Sequence, residues 1–245
     1  TSAHVDSVVV NYLLKNVAPQ IDDITVQVGM RFQPMPKPPA DATGGQPQTN
    51  TPLPPPIRDR DSIAVHWRAH DDNDDQLVYS LFYRGDGDAR WLLLKKDLDD
   101  RYYSFDSSLL PDGGYTMRVA ASDAPSHSPN EALTSSQESA RFEVDTTPPA
   151  IQDLRGAMAG DRLRVTFRAV DGFSPIKRAE YSIDAKDWQY VDPVGQISDS
   201  KTESYDFSIP VPAGDPQEHI VVVRAYDRFD NMGAAKFVLR PSPGK

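Results

Sequence analysis

The sequence predicts an all-β chain folded as two antiparallel β-sandwiches in tandem. Three observations predict it. Short runs rich in Val, Ile, Tyr, Phe and Trp recur along the chain, with apolar and polar residues alternating as half-buried antiparallel strands require. No stretch of eleven or more residues carries a helical apolar stripe free of Pro or Gly, and 22 prolines in 245 residues argue against long helices. A strand unit also repeats after about a hundred residues, the size of one sandwich.

The elements follow in order. The first strands are expected at residues 7–14 (SVVVNYLL) and 21–28. Between residues 30 and 60 lie nine prolines, at 34, 36, 38, 39, 47, 52, 54, 55 and 56; this segment reads as a long solvated insertion with polyproline character at 52–56. Strands then follow at 62–68 (SIAVHWR), 77–83, 91–95, 102–106, 115–121 (YTMRVAA) and 140–144. A second series occupies 162–169 (RLRVTFRA), 178–183, 188–191, 204–209, 220–225 and 235–239. Gly, Pro, Asn and Asp separate these runs, as turns demand.

Self-similarity divides the chain. SIAVHWRAHD (62–71) aligns with RLRVTFRAVD (162–171), and YTMRVAASD (115–123) with HIVVVRAYD (219–227). The joint is FEVDTTPPAI (142–151), where Pro148 and Pro149 withhold two backbone N–H groups and stiffen the chain. A weaker echo of that joint, VVVNYLLKNVAPQI, spans 8–21. The expected organisation is a remnant or last strand of a preceding module at 1–15, a first sandwich at 16–147 with its Pro-rich insertion, and a second at 148–245. The chain opens at Thr1 without Met or a charged-then-apolar leader, and is expected to be the C-terminal part of something longer.

LLPDGGYTMRVAASD (109–123) carries Leu109 six residues before Tyr115, and Trp67 lies on the strand expected opposite. This resembles fibronectin type III and immunoglobulin-like sandwiches, in which a Trp fills the core and a tyrosine corner ties a loop to the sixth strand. The second copy departs from the pattern, with Phe167 for the Trp and His219 for the Tyr. The wider run from 107 to 149 resembles the tandem type III-like tails of exported bacterial β-propeller proteins. That resemblance implies export to the periplasm, cell surface or medium, and a role in adhesion, spacing or assembly.

Composition excludes several classes. Net charge is −10; residues 1–147 hold 13 basic and 22 acidic side chains, and residues 148–245 hold 13 and 14. Such a surface repels a phosphate backbone, so nucleic acid is not an expected partner. Absence of cysteine removes thiol chemistry, disulfides and Cys-based zinc sites. Mean hydropathy is −0.54 and no run of 18 apolar residues occurs, so no membrane-spanning helix is expected.

Four strands end in Ala-x-Asp, at Asp71, Asp123, Asp171 and Asp227. Strands two and six of a type III-like sandwich end at one pole, which should bring Asp71 near Asp123 and Asp171 near Asp227. Each Asp is read first as a turn cap accepting loop N–H groups. The alternative is a calcium site, to which Asp72, Asn73, Asp74 and Asp75, or Asp230 and Asn231, add oxygen ligands. No other cofactor is expected. His66 and His70 have zinc-like spacing, but on a strand residues four apart lie about 13 Å from each other; His4, His127 and His219 read as isolated. No catalytic motif is present, and no catalytic residue is assigned. Arg84, Gly85 and Asp86 spell RGD in an expected hairpin; integrin-type recognition is one reading, and ordinary turn chemistry is the simpler one. Trp91, Trp188 and Tyr190 follow hairpins at equivalent places and read as packing residues that, if exposed, could stack on sugars. The expected function is a non-enzymatic structural or interaction module meeting a protein or polysaccharide surface. The alternative is a calcium-dependent carbohydrate-binding module.

Overall fold

The computed structural model describes residues 7, 15–33, 53–211 and 217–240. Residues 8–14 of the strand expected at 7–14 lie outside the described residues, as do His4 and most of the Pro-rich segment. The chain forms two compact units: the first runs to Leu109 and includes Gly114–Glu143, and the second comprises Leu110–Gly113 and the chain from Val144 onward. Among the described residues there is no α-helix; one 3-10 turn, Ser107–Leu109, is the sole helical element.

The first unit is a sandwich of β1 (Gln20–Phe32), β2 (Pro56–His70) and β5 (Tyr102–Asp106) against β4 (Leu92–Leu98), β3 (Val78–Gly85), β6 (Gly113–Ser122) and β7 (Thr134–Glu138), with β8 (Phe142–Val144) also on β6. The second repeats the plan: β13 (Thr202–Pro210), β10 (Arg162–Val170) and β9 (Ala150–Ala159) oppose β12 (Gln189–Val191), β11 (Ile176–Ile183), β14 (His219–Asp227) and β15 (Met232–Leu239). All the registered pairings are antiparallel. This is the two-sheet arrangement of fibronectin type III and immunoglobulin-like sandwiches.

Alternation places the core. Ile63, Val65 and Trp67 on β2 and Met117, Val119 and Ala121 on β6 are buried, and Leu163, Val165 and Phe167 on β10 with Val221, Val223 and Ala225 on β14 repeat them. Trp67 meets Tyr79 edge-on at 5.3 Å, whereas Phe167 stacks on Tyr205 at 4.6 Å, so the smaller ring recruits an aromatic from the strand beside it.

Three sequence expectations are corrected. The insertion is shorter than residues 30–60: Met30, Arg31 and Phe32 pair with Arg58, Ile57 and Pro56. Pro56 opens its strand, the place where a missing N–H is tolerated. Phe32 anchors this end, with its N–H donating to Ser104 Oγ at 2.9 Å and its ring against Tyr102 at 5.3 Å. Leu110, not Leu109, is the buried leucine before Tyr115; Leu109 is 60% exposed. Finally, β7 and β9 are strands where none was expected. β7 is a polar edge. In β9 the period breaks at a bulge around Asp153, whose φ is +53°.

Candidate functional site

At the end of each sandwich where strands two and six finish, acidic side chains converge. In the second unit the convergence is complete. Asp171 follows β10, Asp227 ends β14 and Asp145 lies just ahead of β9; one carboxylate oxygen from each lies within 4.8 Å of the others, and all three residues are buried.

Local hydrogen bonds hold Asp145 and Asp171 by one oxygen and Asp227 by both. Asp171 Oδ1 accepts from the N–H groups of Phe173 at 2.8 Å and Ser174 at 2.6 Å. Asp227 Oδ1 accepts from Phe229 at 2.8 Å and Asn231 at 2.9 Å, while Asn231 Nδ2 donates to Asp227 Oδ2 at 2.7 Å and to the Asp145 carbonyl at 2.9 Å. Thr147 N–H donates to Asp145 Oδ1 at 3.2 Å. These are the turn caps expected from Asp at strand ends. What caps leave over is Asp145 Oδ2, Asp171 Oδ2 and the Ser174 hydroxyl, all buried and without a hydrogen-bond partner. Burial pushes the Asp145 carboxyl up to about 6; the Ser174 hydroxyl and Thr147 N–H pull the other way, while Asp227 and Asp171 push further. Burial likewise raises Asp227, against the pull of Asn231 and Phe229, with Asp171 adding repulsion.

The first unit gathers a different set of side chains, and leaves Asp71 Oδ2 and Asn16 Oδ1 buried without a hydrogen-bond partner. Asn16, which precedes β1 as Asp145 precedes β9, donates from Nδ2 to Asp123 Oδ2 at 2.9 Å, and Leu133 N–H donates to Asp123 Oδ1 at 2.6 Å. The third member here is His127, whose Nε2 donates to Asp75 at 2.9 Å, so that Asp75, Asp123 and His127 form the group. The bond to Asp75 raises the His127 pKa.

The four expected aspartates therefore divide. Asp171 and Asp227 come together. Asp71 does not join Asp123 in a three-residue group: its Oδ1 caps the turn at Asn73 (2.8 Å) and Asp75 (3.4 Å), and Asp75 takes the place beside Asp123. His127 is not isolated, and His219 bonds to Asp184 at 2.8 Å. Asp145 and Ser174 were missed, although the echo between KNVAP and VDTTPP marks Asp145 as the counterpart of Asn16.

The other motifs are engaged internally. Arg84 pairs with Glu138 at 3.4 Å and lies over Trp91 at 4.3 Å, and Asp86 pairs with Arg141 at 2.7 Å, so both charged ends of the RGD tripeptide have partners. Arg224 covers Trp188 at 3.6 Å while bonding Glu180 at 2.7 Å. Trp188 and Tyr190 remain 40% and 58% exposed.

No protein-family model matches the chain, and no curated protein matches it. Among solved structures it is similar to the FN1–FN3 domains of chicken CNTN1, at 14% identity and a TM-score of 0.32 over 74% of this chain and 63% of that one. It is also similar to dimeric latent PorU from Porphyromonas gingivalis, at 13% identity and 0.34 over 75% of this chain and 22% of that one. The chain thus spans less than two thirds of either.

Proposed function

We propose that the chain is a non-enzymatic structural and interaction module of an exported protein, two sandwiches that space or dock a larger assembly against a protein or polysaccharide surface. The observation that carries this reading is the filling of both interiors. Ile63, Leu81 and Met117 in one unit, and Leu163, Ile176 and Val221 in the other, are wholly inaccessible, which leaves no reaction chamber between the sheets. Two surface depressions among the described residues are open. One, of about 360 Å³, is bordered by Arg31, Asp59 and Asp106; another, of about 660 Å³, by Asp192, Val194 and Asp206. In the first the Ser62 hydroxyl donates to Asp59 Oδ2 at 3.0 Å, and neither depression is lined by a histidine or a lysine. Export rests on the resemblance to type III-like tails of exported bacterial proteins.

Two experiments test this. Fractionation of cells producing the natural protein is expected to find it outside the cytoplasm; a cytoplasmic pool alone contradicts export. Assays on polysaccharide, ester and peptide substrates are expected to show no turnover. Turnover abolished by Asp171→Asn or Asp123→Asn would overturn the non-enzymatic reading.

A further inference from the structure

We propose that the second unit binds one calcium ion at Asp145, Asp171, Asp227 and the Ser174 hydroxyl. This inference is independent of the spacing or docking role.

The first support is geometric. Oxygens that share a calcium at 2.3–2.6 Å can stand no more than about 5 Å apart. The three carboxylate oxygens meet that limit, lying within 4.8 Å of one another.

The second is an orphaned hydroxyl from outside the acidic set. Ser174 is 2% exposed; its Oγ is directed at the Asp145 carboxyl and favours its ionised form, but makes no hydrogen bond of good geometry there or elsewhere. Leaving such groups buried and unmade is costly, whereas hard oxygen donors around a divalent cation are all satisfied at once. Four protein oxygens leave about two to four positions for water in a six- to eight-fold shell.

The third is the comparison of the two copies. Where the first unit has Asn16 giving an N–H to Asp123, the second has Asp145, a pure acceptor, against Asp227. Where the first unit adds the cation-forming ring of His127, the second has a third carboxylate. The first pole thus sets an amide and an imidazole among its carboxylates, whereas in the second Asn231 donates to Asp227 Oδ2 but no donor reaches Asp145 Oδ2 or Asp171 Oδ2. A divalent cation supplies the missing positive charge.

The test is equilibrium dialysis of the chelator-stripped full chain against calcium chloride. One ion per chain is expected to bind, at a dissociation constant no weaker than the millimolar range of extracellular calcium modules. Asp145→Asn, which installs the residue type of the first unit, is expected to weaken binding at least tenfold, and Asp75→Asn to leave it unchanged. If Asp145→Asn fails to fold, Ser174→Ala removes only the hydroxyl and is expected to weaken binding several-fold. The proposal is overturned by no bound calcium up to about 10 mM, by binding that both Asp145→Asn and Ser174→Ala leave intact, or by binding that Asp75→Asn abolishes.

Discussion

Gly233 on β15 lies against the carbonyl oxygen of Pro149 so closely that a Cβ at position 233 would overlap that oxygen heavily. Gly233 pairs with Ala225 near the start of this edge strand, so the strand cannot shift without breaking its register with β14. The absent side chain lets the Pro-Pro segment run alongside β15 and sets the chain that carries Asp145 at the pole.

Gly233→Ala is therefore expected to destabilise the second unit by about 3 kcal/mol, the upper range for overpacking, because backbone has to move rather than a flexible side-chain end. Urea denaturation followed by near-ultraviolet circular dichroism checks it. Gly156→Ala meets the ring of Phe237, which can tilt, and should cost less.

Phe167 fills the place that Trp67 holds in the first unit and stacks on Tyr205 at 4.6 Å. Truncating it to Ala should cost about 3–5 kcal/mol. The loss should appear in the second unit's transition, and Trp67→Ala should act on the first.

In calcium-free protein the pole imposes a pH dependence of definite sign. Asp145, faced by Asp171, Asp227 and the Ser174 hydroxyl, titrates near 6 in the folded chain against an ordinary 3.8. Between those values the folded state holds a proton that the unfolded chain has released, so this group's contribution to stability falls as pH rises through the window. His127, raised by Asp75, contributes stability that is present below its ordinary 6.5 and lost as pH rises through its higher folded value. Asp145→Asn separates the two. Melting temperatures in chelator at pH 4.5 and 7 should converge in the variant relative to the parent chain, and an unchanged difference would contradict the assignment.

The pairs Arg84–Glu138 and Asp86–Arg141 are exposed, so Asp86→Ala should change stability by no more than about 1 kcal/mol. Attachment of integrin-bearing cells to the immobilised chain should be the same for both forms, since the tripeptide's charges are already paired.

The core was legible because alternation over Leu163, Val165 and Phe167 needs only local periodicity. Strand β9 was not, because the bulge at Asp153 moves its inward positions from Ile151 to Leu154 and then Gly156, a spacing no period of two detects. β7 reads TSSQE, a polar edge strand whose pairing with β6 comes from backbone hydrogen bonds alone. At the pole, Ala-x-Asp correctly marked Asp171 and Asp227 as neighbours, since both end strands of one motif. Asp71 caps the turn that follows it, and Asp75 from that turn stands in the three-residue group with Asp123 and His127. Asp145 meets Asp171 and Asp227 only through tertiary topology, whereas Ser174 is carried in by the turn that Asp171 caps.

Differential scanning calorimetry of the full chain at pH 7, first in chelator and then in about 5 mM calcium, addresses the pole most directly. The second unit's transition should move to higher temperature while the first stays in place, and the shift should vanish in Asp145→Asn. Identical traces, or a shift confined to the first unit, would contradict a calcium-filled pole in the second sandwich.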